Sequence, residues 1–223
     1  MYKKFEDNMI WVIDDFIDKE YQEKIKSIML GSQLYFDGHP DGGVEFPWYF
    51  IEDVTSALDS DSQHRPALAH QYVTYRDMEE MEKFDDDTPG YIESELHSLF
   101  IPLLQRACFK LGIGKVNALQ GRSFLQFPLR LKDKTVDTPH IDLETIRHFV
   151  VLYYVCDSDG DTIIYNEKVI SEKGLTVQKK VTPKQGRVVL FNGAYYHTAQ
   201  QPNHNLRCIV NYDLVDLSVD SHI

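Results

Sequence analysis

Three side chains suited to holding a metal stand in the second half of the chain: His140 and Asp142, within Thr138-Pro139-His140-Ile141-Asp142, and His197 much later. Two imidazoles and one carboxylate are the ligand set of a mononuclear non-haem Fe(II) centre. One face of such a metal stays open, so that oxygen and a co-substrate bind beside each other. On an extended segment residues two apart leave the same face, so His140 and Asp142 point to one place. His197 has to be returned to them by the fold. A zinc hydrolase also uses two histidines and a carboxylate, but it wants a general base nearby and has no use for Arg207, a planar fork of donors in the last β-like run. Taken alone, such an arginine would pair with a surface Asp or Glu.

The elements that must position these groups read as β-rich from residue 116 onward. Runs at 116–127, 149–156, 161–166, 176–181, 187–191 and 206–214 are separated by turn signals at Asp157-Ser158-Asp159-Gly160 and Pro183-Lys184-Gln185-Gly186. That pattern predicts antiparallel strands joined by short turns. On the run 149–156, Tyr153 and Tyr154 point to opposite faces.

The N-terminal half reads as support. Residues 9–13 predict a strand, and Asp18 an N-cap for a helix through Leu30, whose Tyr21, Ile25, Ile28 and Met29 form one stripe before Gly31. Residues 32–69 mix Gly, Pro, Asp and aromatics without periodicity. A connection of that length is either a surface loop packing Trp48 and Phe50 on the core, or a lid over a site mouth. Residues 70–75 alternate like a strand, and 77–87 form an acidic loop or short helix. Thr88-Pro89 predicts the start of a helix running to Leu111, kinked or split at Pro102. Helices first and strands later give an α+β chain whose natural closure is a jelly roll with an internal mouth.

Composition bounds the class. With 223 residues and 43% hydrophobic content, the chain suits one domain, 1–223, with helical support and a possible lid loop in 1–115 and a jelly-roll core in 116–215. Thirty-five acidic against 23 basic residues leave a net charge of -12, a field that repels a phosphate backbone and disfavours nucleic acid as a partner. Cys108, Cys156 and Cys208 make no CxxC and no even framework, which suggests a reduced setting. No apolar run reaches the ~20 residues of a membrane span or the pattern of a signal peptide. The expectation is a cytoplasmic protein with no membrane partner.

In order and spacing, the HxD at His140 and Asp142, Tyr153-Tyr154, Gly160-Asp161-Thr162, Pro183 with Gly186-Arg187 and Phe191, His197, and Arg207 resemble the 2-oxoglutarate/Fe(II)-dependent dioxygenases, in their prolyl-4-hydroxylase-like branch. The resemblance covers residues 120–214, with a looser echo in 11–30. It implies a double-stranded β-helix (jelly-roll) core with an N-terminal strand and bracing helices. It also implies Fe(II) on His140, Asp142 and His197, with 2-oxoglutarate and O2 as co-substrates and ascorbate as a support for activity. The reaction implied is hydroxylation of a C–H bond in a peptidyl, prolyl-like residue or a small amino-acid-like molecule, with release of succinate and CO2.

Under the same resemblance Arg207 takes the distal carboxylate of 2-oxoglutarate, and Tyr154 shares it. The tyrosine that the family carries on the strand before HxD aligns with Phe127, which has no hydroxyl. Gln120, Arg122 or Gln126 are the replacements, and Gln126 is taken here as the co-substrate residue. The 128–137 loop, with Arg130, Lys132 and Lys134, is a possible flap, and His148 is a candidate neighbour of the metal ligands. A reading from another class remains open: a non-catalytic jelly-roll binding module with a structural or vestigial metal site.

Overall fold

Ile10–Ile13 (β1) opens a run of elements in the computed structural model, which describes residues 6, 8–31, 46–54, 64–76, 90–129, 131 and 136–217. Next come Lys19–Leu30 (α1), Tyr49–Ile51 (β2), Ala67–Tyr75 (β3), Gly90–Ile92 (β4), a 3-10 turn at Glu95–Phe100 and Ile101–Leu111 (α2). The remaining strands are Val116–Gln126 (β5), Phe149–Tyr154 (β6), Thr162–Tyr165 (β7), Val177–Val181 (β8), Val188–Asn192 (β9), His197–Ala199 (β10) and Arg207–Asp216 (β11). The described chain is mostly β, with few helices. One large sheet runs β1-β9-β6-β11-β5-β3-β2 with β4 on β3, and a smaller one runs β10-β7-β8. Every pairing is antiparallel. No described helix is long and apolar enough to cross a membrane.

The period-2 pattern of the central strands divides the interior in two. From β6, Val151 and Tyr153 face a core that includes Phe16, Ile25 and Met29 with Leu103 and Ala107 of α2. Val150, Leu152 and Tyr154 face the opposite way, into a core shared with Val189, Phe191 and Ile209 and with Ile164 and Val181 of the small sheet. Alternation accounts for this, since successive side chains of a strand leave opposite faces. Burying one such aliphatic side chain contributes ~1.5–3 kcal/mol. The helical core therefore braces the sheet from outside, and the core between the sheets borders the cavity described below.

Helix α1 follows the sequence pattern: Asp18 accepts from the Tyr21 amide at 2.9 Å, and Ile25 and Met29 are buried. The second helix does not. A single helix over 88–111 is replaced by β4, a 3-10 turn whose Ser94 side chain accepts from the Leu96 amide, and α2 starting only at Ile101. Pro102 lies in the first turn of α2, where a missing N–H costs nothing, so the helical stretch is split there, one of the two outcomes expected, and not kinked. Gly90 to Ile92 pair with β3 instead of winding a first helical turn. Thr88 and Pro89 lie outside the described residues.

Residues 32–69 also differ from expectation. β2 forms there and pairs with β3, which starts at Ala67. Trp48 is half-buried against the helical core and donates Nε1–H to the Met29 carbonyl at 2.9 Å. Residues 32–45, 55–63 and 77–87 lie outside the described residues, as do Arg130, Lys132 and Lys134 of the possible flap.

Candidate metal and co-substrate site

His140 and His197 are brought together by their own backbones. They form an antiparallel bridge in which each amide donates to the other's carbonyl at 3.0 Å. β10, which holds His197, is fixed in turn on β7 with His197 opposite Ile164. Each ring is oriented the same way, with Nδ1 facing the carbonyl two residues earlier: Thr138 at 3.1 Å for His140, Tyr195 at 3.2 Å for His197. A hydrogen on Nδ1 leaves the Nε2 lone pair free, which is the tautomer a metal needs.

Both Nε2 atoms converge on Asp142. His197 lies 3.2 Å from Oδ2 and His140 3.7 Å from Oδ1. Ligands bound at ~2.1 Å stand roughly 3 Å apart when adjacent on a metal, so these three side chains fit one ion. Asp142 is also held from behind by the Arg122 guanidinium, on Oδ1, and by Asn211 Nδ2 at 3.2 Å from Oδ2. Burial would raise the Asp142 carboxyl, but His197, Arg122 and His140 together hold it well below the usual carboxylate range. Desolvation at the cavity mouth, and then the neighbouring His197, hold His140 below its ordinary value. The set therefore offers an anion at Asp142 and, at His140, an imidazole biased toward the neutral form, as metal ligation requires.

These residues border a cavity of about 380 Å³. Val150, Leu152, Phe191 and Ile209 make its apolar wall, and Arg122, Gln126, Thr162, Arg207 and Asn211 supply polar groups. Arg207 is only 3% exposed. Its Nε donates to the Gly160 carbonyl at 3.0 Å, Nη1 to Gln126 Oε1 at 2.7 Å and Nη2 to Thr162 Oγ1 at 2.8 Å. A guanidinium has five N–H groups, so these bonds fix its plane and leave one hydrogen on each Nη, a fork for a carboxylate. Gly160 is required for this approach, because a Cβ there would lie 2.6 Å from the Gln200 carbonyl oxygen and 3.0 Å from Arg207 Cδ.

Tyr154 reaches this end indirectly. Its hydroxyl donates to Thr162 Oγ1 at 2.7 Å, and Tyr154 does not line the cavity. Burial pushes the phenol up to about 12, so it stays a donor. Thr162 Oγ1 accepts from both Tyr154 and Arg207, which leaves its own hydrogen to donate. Thr162 lines the cavity and Tyr154 stands behind it, bonded to its hydroxyl, instead of lining the cavity itself. Tyr153 points into the other core, as the alternation requires.

On β5, Arg122, Phe124 and Gln126 alternate into the cavity, whereas Gln120 does not line it and Phe127 is partly exposed beyond the strand end. The Gln126 amide is clamped at both ends, accepting from Arg207 and donating Nε2–H to Asp137 Oδ2 at 3.3 Å. Asp137 is paired with the buried Arg65 at 3.3 Å and accepts from Gln201 Nε2 at 2.8 and 2.9 Å. Burial raises its carboxyl, against the pull of Gln201, Arg65 and Arg207. Sequence reasoning assigned no role to Thr162, Asn211 or Asp137. Thr162 stood inside a quoted motif, and Asn211 is two residues from Ile209 on the inward face of β11. Nothing local marked Asp137. In the long aromatic connection it is Val54, not Trp48, that lines the cavity.

The fold is similar to solved 2-oxoglutarate/Fe(II) oxygenases. A Burkholderia pseudomallei oxidoreductase of the 2OG-Fe(II) oxygenase family aligns with a TM-score of 0.60 at 13% identity, over 93% of this chain and 85% of that one. A Trichoplax adhaerens prolyl hydroxylase, solved with a hypoxia inducible factor peptide, aligns at 0.52 and 17% identity over 95% and 85%. The non-heme alpha ketoglutarate dependent carbocyclase SnoK of nogalamycin biosynthesis aligns at 0.59 and 10% over 94% and 80%. No protein-family profile matches the sequence, and no curated protein is similar enough to be matched.

Proposed function

We propose that this chain is an Fe(II)- and 2-oxoglutarate-dependent dioxygenase with a double-stranded β-helix core. His140, Asp142 and His197 hold the metal, and Arg207 with Thr162 holds the distal carboxylate of the co-substrate. The observation that carries this reading is one cavity bordered both by a convergent two-His, one-Asp set and by a buried arginine with a free fork. Bound there, iron and 2-oxoglutarate supply the oxidising power, with succinate and CO2 released. The chain's own residues do the positioning. Arg207 and Thr162 neutralise and orient one end of a dicarboxylate, Arg122 and Asn211 steady Asp142, and the apolar wall keeps water out.

The prime substrate is read as a peptidyl, prolyl-like residue or a small amino-acid-like molecule, taken up at the half-exposed His140 side. Hydroxylation is the outcome favoured. The similarity to an epimerase and a carbocyclase that depend on the same co-substrate makes product analysis part of the test. The experiment is succinate formation from 2-oxoglutarate with Fe(II) and ascorbate, with and without added substrate. Iron-dependent succinate supports the reading. No turnover together with no metal binding favours a non-catalytic module.

A further inference from the structure

Asp137 borders the cavity without belonging to the proposed metal set or to the arginine fork. Its backbone is pinned to β10, the strand that carries His197. The Asp137 amide donates to the Ala199 carbonyl at 2.8 Å, and the Asp137 carbonyl accepts from Thr198 Oγ1 at 2.6 Å. Its side chain, 10% exposed, is met by donors: Gln201 Nε2 at 2.8 and 2.9 Å, and Gln126 Nε2 at 3.3 Å. Arg65, whose side chain is 1% exposed, stands 3.3 Å from Oδ1 and supplies the counter-charge.

Gln126 links this carboxylate to Arg207. A side-chain amide accepts at one end and donates at the other, whereas an ionised carboxylate only accepts and a guanidinium only donates. Nε2 therefore faces Asp137, and Oε1 faces Arg207 Nη1 at 2.7 Å. Turned over, the amide would set oxygen against oxygen and donor against donor. The bond to Gln126 is one of the three that fix the guanidinium plane, so the direction of the fork is relayed from β10 through Asp137 and Gln126. By charge alone an anion beside Arg207 would repel an incoming dicarboxylate. Arg65 offsets that charge, and what remains to Asp137 is direction.

We propose that Asp137 is a positioning residue for the co-substrate: it fixes the Gln126 amide and, through it, aims the Arg207 fork at the carboxylate. The inference rests on the proposed function, in which Arg207 takes the distal carboxylate of 2-oxoglutarate.

The test is calorimetric titration of 2-oxoglutarate into the Mn(II)-loaded full-length protein. Asp137→Asn should weaken binding roughly tenfold, although loss of an anion alone would tighten it. Arg65→Met/Asp137→Asn, which leaves the net charge unchanged and strands no cation, should show the same loss, and Mn(II) affinity should hold in both. Gln126→Ala should weaken binding by a similar factor. Adding Asp137→Asn to Gln126→Ala should then cost nothing more, since both act through one relay. Unchanged or tighter binding in Asp137→Asn, or losses that simply multiply in the double variant, would overturn the proposal. If the Asp137 variants fail to fold, Gln126→Ala decides: wild-type affinity overturns the relay, and a roughly tenfold loss with Mn(II) affinity held supports it. Wild-type affinity in Arg207→Ala would overturn the proposed function together with this inference. A loss in Arg207→Ala with none in the Asp137 variants would overturn this inference alone.

Discussion

The two ends of the cavity are built differently. The proposed metal end takes His140 and Asp142 from a segment outside the main strands, and the His140 side chain is 52% exposed. The proposed carboxylate end sits on β5, β7 and β11, with Arg207 buried and three of its donors already bonded. At the metal end His140 alone faces solvent, with Asp142 and His197 buried beside it, whereas Arg207 at the other end is locked by its neighbours. Under the proposed function, oxygen and substrate would approach from the His140 side. The contrast also predicts different failures at the two ends.

The largest effect should come from breaking the metal end. Asp142→Ala and His197→Ala should each reduce Fe(II)-dependent succinate formation to background while the thermal unfolding temperature changes little, because both residues border a cavity and not the helical core. Turnover near wild type in either variant would remove the ligand assignment. At the other end, removing one partner of a buried charge pair costs ~2–5 kcal/mol, and ~1.4 kcal/mol is tenfold. Arg207→Ala should therefore weaken 2-oxoglutarate about 30-fold or more in a calorimetric titration, with Mn(II) affinity held, and Arg207→Lys should recover only part.

Within the carboxylate end, Thr162 and Tyr154 can be separated. Thr162→Val removes the hydroxyl facing the cavity and the acceptor of both neighbours, so the co-substrate should weaken roughly tenfold. Tyr154→Phe removes one relayed bond, worth about 1 kcal/mol, and should cost only a few-fold. The reverse order would restore Tyr154 as the direct anchor.

Acidity sharpens the comparison. His140 sits below its ordinary value, so it stays neutral as pH falls to about 6.5, the usual histidine value. Protons compete with the metal only below that. Protonation of His140 should thus cost no metal affinity between neutral pH and that value, and should cost it only below. A loss of metal already under way at neutral pH would contradict the shift. The smallest catalytic effect belongs to Trp48. Trp48→Ala should cost roughly 1–3 kcal/mol of stability, less than a fully buried aromatic, and leave the ratio of succinate to hydroxylated product unchanged.

How legible this was in the sequence depended on the reach of each signal. The alternation of 149–154 assigned Tyr153 and Tyr154 to opposite faces, and the stripe with its Asp18 cap marked α1, since those signals are local and periodic. The break at Pro102 was legible, but the early start of that helix was not, because Gly90–Ile92 are drawn into a strand by pairing with β3. The third strand of the small sheet, around His197, is three residues long and owes its form to pairing with β7, which no local propensity encodes. Thr162 meets Arg207 and Asp137 meets Gln201 from far along the chain, so their positions became visible only once β5, β7 and β11 stood side by side.

The claim that one cavity holds a metal and a dicarboxylate together is tested most directly by thermodynamic linkage. Titrating 2-oxoglutarate with and without Mn(II), alongside glutarate, which has the same carbon chain but no keto oxygen, separates the two ends in one calorimetric series. The account predicts that Mn(II) tightens 2-oxoglutarate at least tenfold but leaves glutarate unchanged, and that both ligands weaken in Arg207→Ala. Equal 2-oxoglutarate affinity with and without metal, in wild type and in His197→Ala alike, would contradict it.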